Sequence, residues 1–140
     1  MKNKLLHLNK RGLQADFSWL TKLENVLIRK FKIFRGKQVI SLALVNKAEI
    51  RRLNKVYRQQ NKVTDVLSFN IDSPEVLGEI IICLDKAKEQ SKIKKQIIKK
   101  ELQLLTVHGI LHLLNYDHEL GPKYARQQKH LEEEVLNLLS

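Results

Sequence analysis

His108-Gly109-Ile110-Leu111-His112-Leu113-Leu114-Asn115-Tyr116-Asp117-His118 is the stretch on which the reading of this 140-residue chain turns. The apolar spacing from about Gln96 to Leu114 predicts a long helix. His108 and His112 are four apart on it, so their imidazoles leave one face on successive turns. Asn115 tolerates the left-handed conformation that ends helices, and His118 then returns to a third corner. Three neutral nitrogen ligands leave the fourth position of a tetrahedral ion to water, which is the catalytic rather than the structural arrangement. The candidate ligands of one zinc ion per chain are therefore His108, His112 and His118. The competing reading is three ordinary structural histidines. It is weakened because three of the chain's five histidines fall in this one stretch. His7 and His130 have no partners at ligand spacing.

Working outward, Leu5 to Leu8 reads as a short strand. Asp16 to about Phe34 reads as a helix on the recurrence of Leu20, Leu23, Leu27, Phe31 and Phe34, closed by Gly36. Val39 to Val45 is short, apolar and partly β-branched, the pattern of a buried strand. Asn46, three residues before Glu49, opens a helix to about Tyr57 in the manner of a capping box. Thr64 to Ile71 and Leu77 to Leu84 read as strands joined through the turn cluster Asp72-Ser73-Pro74. Asp85 is placed to cap a short helix through Ile93. A last helix runs from near Pro122 to the C-terminus. The order β-α-β-α-β-β-α-α-α describes an α+β domain, a mixed sheet of about four strands packed with about five helices. No linker, repeat or low-complexity tract divides residues 1–140, so a single domain is expected.

Hydrophobic residues make up 43% of the chain, enough for one core. The 26 Lys plus Arg against 15 Asp plus Glu give a net charge of +11, which suits a polyanionic partner such as nucleic acid or simply a lysine-rich surface. A single cysteine, Cys83, excludes an intrachain disulfide and sits in an apolar run, as a buried thiol does. That fits a reducing compartment. No apolar stretch is long enough to span a bilayer, and the N-terminus lacks a signal-like apolar region. The expected location is cytoplasmic.

The histidine spacing is similar to that of the metzincin peptidases, which carry Gly at the turn and a Glu general base after the first His. Here those positions are Asn115 and Gly109, so a peptidase would lack its base. The same segment resembles the signature of the YbeY family, bacterial endoribonucleases of ribosomal RNA maturation. Two further blocks agree with that family: Leu53-Asn54-x-x-Tyr57-Arg58 leading to Thr64-Asp65-Val66-Leu67-Ser68-Phe69, and Leu77-Gly78-Glu79-Ile80. Asn115, Asn70, Val63, Asn61 and Glu79 depart from the family's Gly, Pro, Pro, Asp and Asp. A His common before the ligand helix is absent, with Gln96 nearby.

The resemblance implies a zincin-like fold and a zinc site on the three histidines. It implies single-strand-specific endoribonuclease activity in 16S ribosomal RNA processing, ribosome maturation and ribosome quality control. Ribosomal RNA and the small ribosomal subunit would be the partners, and Arg58 a functional residue. A three-His site leaves zinc its full charge, which suits an anionic phosphodiester and a water ionising near neutral pH. Arg58 would add a second cation for the transition state; its alternative role is a helix-end residue favoured by the macrodipole.

Asp117 is placed to orient a ligand imidazole or to cap a turn. Thr64, Asp65, Ser68, Gly78 and Glu79 are candidates for a substrate groove beside an open strand edge. Zinc hydroxide, Glu79 and Asp117 remain alternative bases. Gly109 would leave room for a phosphate or ribose, or allow a neighbouring element to pack. Lys92, Lys94, Lys95, Lys99 and Lys100, in a basic stretch before the ligand helix, would track RNA phosphates or form a solvated face. Two other classes stay open: another zinc hydrolase, and a ribosome-assembly factor that binds RNA with little cleavage. Oligomeric state is open.

Overall fold

The computed structural model describes residues 5–31, 38–71, 73–114 and 122–140. Its elements follow in the order β1 (Leu6–Asn9), α1 (Leu20–Lys30), β2 (Val39–Val45), α2 (Lys47–Arg58), β3 (Val66–Asn70), β4 (Val76–Cys83), α3 (Leu84–Ile93), α4 (Ile98–Leu113) and α5 (Pro122–Leu139). The α+β class, the four-stranded mixed sheet and the five helices agree with the sequence. The sheet order is β1-β2-β4-β3. β1, β2 and β4 run parallel, and β3 pairs antiparallel with β4 at the edge.

Side chains alternate across the pleat, so each apolar strand feeds two cores. Ile40, Leu42 and Leu44 of β2 with Ile80 and Ile82 of β4 meet α1, α4 and α5 in the larger one. Ala43, Val45, Ile81, Cys83 and Leu67 meet Ile50 and Leu53 of α2 in the smaller one. Helices on both faces explain why β2 and β4 read as near-continuous apolar runs rather than as alternating ones. Burial pushes the Cys83 thiol above its ordinary pKa, so it stays protonated.

Several boundaries move for local reasons. The first helix starts at Leu20, not Asp16, because Asp16 is used in a turn: its carboxylate accepts from the Ser18 N–H at 2.9 Å and its carbonyl from the Trp19 indole at 2.9 Å. At the other end, extended backbone at Phe31 closes it, while Phe34 and Gly36 lie outside the described residues. The expected box does open α2, with the Asn46 side chain accepting from Glu49 N–H at 2.9 Å. Asp85 is not the cap of α3; the cap position is Cys83, and Asp85 falls inside the first turn. β4 has a partner on each side, so the open strand edge expected beside Leu77-Gly78-Glu79 belongs instead to β3.

α4 is buried over much of its circumference, with Leu102, Val107, Ile110 and Leu111 fully covered. A helix apolar nearly all round belongs between layers. It lies against β3 and β4 on one side and α3 and α5 on the other. This central position carries His108 and His112 to the sheet edge.

Candidate active site

Two imidazoles converge at the C-terminal end of α4. His108 Nε2 and His112 Nε2 are 3.0 Å apart, and the ring centroids are 4.6 Å apart at an interplanar angle of 51°. Two nitrogens each about 2.05 Å from one tetrahedral zinc would be about 3.3 Å apart. The pair therefore fits two corners of such a site with a shift of a few tenths of an ångström. His118, Asp117 and Asn115 lie outside the described residues. Among the described residues no group of three or more His, Cys, Asp or Glu is placed to hold a metal.

Gly109 is closely packed against the sheet. A Cβ there would stand 2.9 Å from Ile80 Cγ2, so the glycine lets α4 close onto β4 beside the histidines. Gly78 does the same from the sheet side: its Cβ would fall 2.6 Å from both Leu113 Cδ2 and the Phe69 carbonyl oxygen. Both glycines bring α4 against the sheet.

Behind His108 stands α5. Glu132 Oε1 meets His108 Nδ1 in a short hydrogen bond, and Gln128 Nε2 lies 2.9 Å from the same nitrogen and 3.2 Å from Glu132 Oε1. A carboxylate only accepts, so this bond calls for a proton on Nδ1; in the neutral ring the lone pair is then on Nε2, the nitrogen nearest His112. Glu132 is one of the residues that sequence reasoning missed, with Gln128. The available signal was their four-residue spacing, which puts both on one face of the last helix; nothing in the sequence said that this face meets His108.

A groove of about 340 Å³ opens in front of the histidines, between α4 and the stretch from the end of α2 through β3. His108, His112, Arg58, Thr64, Asp65 and Ser68 all line it. Arg58 ends α2, where Gln59 takes the left-handed conformation at φ 56°. Its guanidinium lies 5.5 Å from the Phe69 ring centroid and donates through Nη2 to the Ser68 carbonyl at 2.9 Å. The loop after α2 is held by buried Asn54, whose amide donates to the Lys62 carbonyl at 3.0 Å. Asp65 is committed to structure: Oδ1 accepts from Val66 N–H at 2.8 Å and Oδ2 from Gln90 at 3.2 Å.

Other sequence-predicted residues lie elsewhere. Glu79 pairs across the ladder with Phe69, which packs on the α2-side core, so it projects away from the α4 face. Gly78 is buried under Leu113. Lys92 is in the last turn of α3, Lys94 and Lys95 follow it, and Lys99 and Lys100 begin α4. At about 1.5 Å rise per residue, that end of α4 is roughly 15–20 Å from His112. Lys94 is engaged with the buried Glu101 carboxylate at 2.7 Å.

The family described as Endoribonuclease YbeY matches residues 6–140. A Staphylococcus epidermidis protein named Endoribonuclease YbeY is 43% identical over 118 residues, covering 74% of this chain and 76% of its own length. A protein of the same name from Staphylococcus saprophyticus is 36% identical over 131 residues, 85% of each chain. Another from Ruthia magnifica is 40% identical over 120 residues, 81% of this chain and 82% of its own. The solution structure of TM1509 from Thermotoga maritima superposes with a TM-score of 0.67 at 29% identity, covering 96% of this chain and 88% of that one. This chain belongs to the YbeY endoribonuclease family.

Proposed function

We propose that this chain is a zinc-dependent, single-strand-specific endoribonuclease acting in 16S ribosomal RNA processing, ribosome maturation and ribosome quality control, with residues 1–140 as one hydrolase domain. Its partners on this reading are ribosomal RNA and the small ribosomal subunit, and its place is the cytoplasm. Among the described residues no helix is long and apolar enough to cross a membrane. The observation that carries the proposal is the convergence of His108 Nε2 and His112 Nε2 at 3.0 Å in a groove that Arg58 also lines.

His108 and His112 would hold the metal together with His118. Bound there, zinc supplies Lewis acidity for attack on a phosphodiester near neutral pH. Glu132 keeps the His108 proton on Nδ1 and fixes the ring. Arg58 has five N–H donors, of which one nitrogen is tied to the Ser68 carbonyl; the remaining donors would hold an anionic phosphate in the groove. Lys62, on the same groove, adds positive charge along the RNA path. Both carboxylate oxygens of Asp65 accept hydrogen bonds from the fold, so its role is to hold the loop rather than to take a proton from the nucleophile.

The test is cleavage of a 16S ribosomal RNA precursor by purified protein, with and without chelator, beside His112→Ala and Arg58→Ala. Chelation or His112→Ala abolishes cleavage, and Arg58→Ala keeps the metal but loses rate. Cleavage that survives all three points to a contaminating nuclease and overturns the proposal. RNA binding without cleavage by the wild type would favour an assembly factor.

A further inference from the structure

Beside the histidine groove lies a second hollow, of about 560 Å³, lined by Tyr57, Arg58, Gln60, Ser68, Phe69 and Asn70. Its contents do not resemble a phosphate track. Tyr57 is 61% exposed, a large aromatic left to solvent in the last turn of α2. Its ring lies 5.2 Å from that of Phe69 with an interplanar angle of 52°. Gln60 and Asn70 add two carboxamides. Asn70 donates one N–H to the Leu113 carbonyl at 3.2 Å, which anchors it to the end of the ligand helix and leaves its oxygen as an acceptor. Arg58, Gln60 and Ser68 line both this hollow and the groove that holds His108 and His112.

We infer that this hollow is a stacking subsite for one unpaired RNA base adjacent to the scissile phosphodiester. The inference rests on the endoribonuclease reading above and deepens it. Aromatic rings supply a face for any base, and carboxamides carry both a donor and an acceptor for the edge of an exposed one. The shared Arg58 is placed to meet the phosphate that links this base to the groove. Bases inside a duplex are stacked and paired and offer no face to Tyr57, so the hollow gives a physical origin for a preference for single strands. Gln60 is exposed and its amide can present either its oxygen or its nitrogen, so the expected sequence preference is weak.

The test uses single-stranded oligoribonucleotides with one 2-aminopurine placed at successive positions, the full-length protein, and Tyr57→Leu beside Tyr57→Phe. With chelator present to prevent cleavage, the wild type changes the 2-aminopurine fluorescence at one position, Tyr57→Phe keeps that change, and Tyr57→Leu loses it. In cleavage assays Tyr57→Leu raises KM about tenfold to a hundredfold with little change in kcat, the range expected when a stacked base loses its aromatic partner. An abasic nucleotide at the same position removes the difference between the two proteins. The inference is overturned if Tyr57→Leu, with an unchanged far-ultraviolet circular dichroism spectrum, binds every labelled strand as the wild type does, or if its loss falls on kcat alone. If the wild type shows the positional signal but never cleaves, the nuclease reading fails and the base subsite stands.

Discussion

Replacing Gly109 by alanine puts one methyl group between α4 and β4, and two effects of opposite sign follow. Alanine is better than glycine in a helix interior by about 1 kcal/mol. Against that, the new Cβ meets Ile80 Cγ2 at 2.9 Å, Cδ1 at 3.1 Å and Cγ1 at 3.2 Å. Ile80 is fully buried, so it cannot swing into solvent, and overpacking of this kind costs about 1–3 kcal/mol. The net expectation is a loss of about 1 kcal/mol, with near zero to about 2 kcal/mol as the range. Ile80→Ala alone should cost about 2–5 kcal/mol. In the Gly109→Ala background it should cost less, because the added methyl fills part of the vacated space, with a coupling of at least about 0.5 kcal/mol. Urea unfolding of the four proteins, compared at constant m, reads both numbers. If Gly109→Ala is stabilising by about 1 kcal/mol and additive with Ile80→Ala, the packing account of this glycine is refuted. Open space at the groove would then be its purpose.

Three further outcomes follow from the same contacts. Glu132→Ala should lower zinc affinity toward the hundredfold end of the roughly 10–100-fold range for such supporting groups, and Glu132→Gln, which can still accept through its carbonyl, toward the tenfold end. Competition with a chromophoric chelator measures it, and unchanged affinity would show that Glu132 only packs. Cys83, buried and held as the thiol, should resist iodoacetamide in the native protein and react once urea unfolds it; prompt native labelling would contradict its placement under α2. If Arg58 and Lys62 meet phosphates, as proposed, RNA binding should weaken as salt rises, and a flat salt profile would remove them from the RNA path.

The elements that depend on local pattern were legible in the sequence. β2 and β4 announce themselves as apolar runs, α2 by Asn46 and Glu49, and α4 by its length and spacing, which alone places His108 and His112 one turn apart. What could not be read depends on which element packs against which. The order β1-β2-β4-β3 is a tertiary outcome, so the open edge was assigned to the wrong strand. Glu132 is 24 residues from His108 and reaches it only because α5 lies along α4. Gly109 both lines the groove and meets Ile80 across the layer, and the second contact is not encoded in its own segment. The hollow at Tyr57 joins the end of one helix to an edge strand, a juxtaposition that no single segment encodes.

The account stands on His108 and His112 sharing one metal ion. Elemental analysis of protein purified without chelator, for the wild type, His108→Ala and His112→Ala, measures that directly. The expected result is close to one zinc per wild-type chain and almost none in either variant, with all three folded. Variants that keep the full complement of zinc, or a wild type that holds none after zinc is supplied, would contradict it.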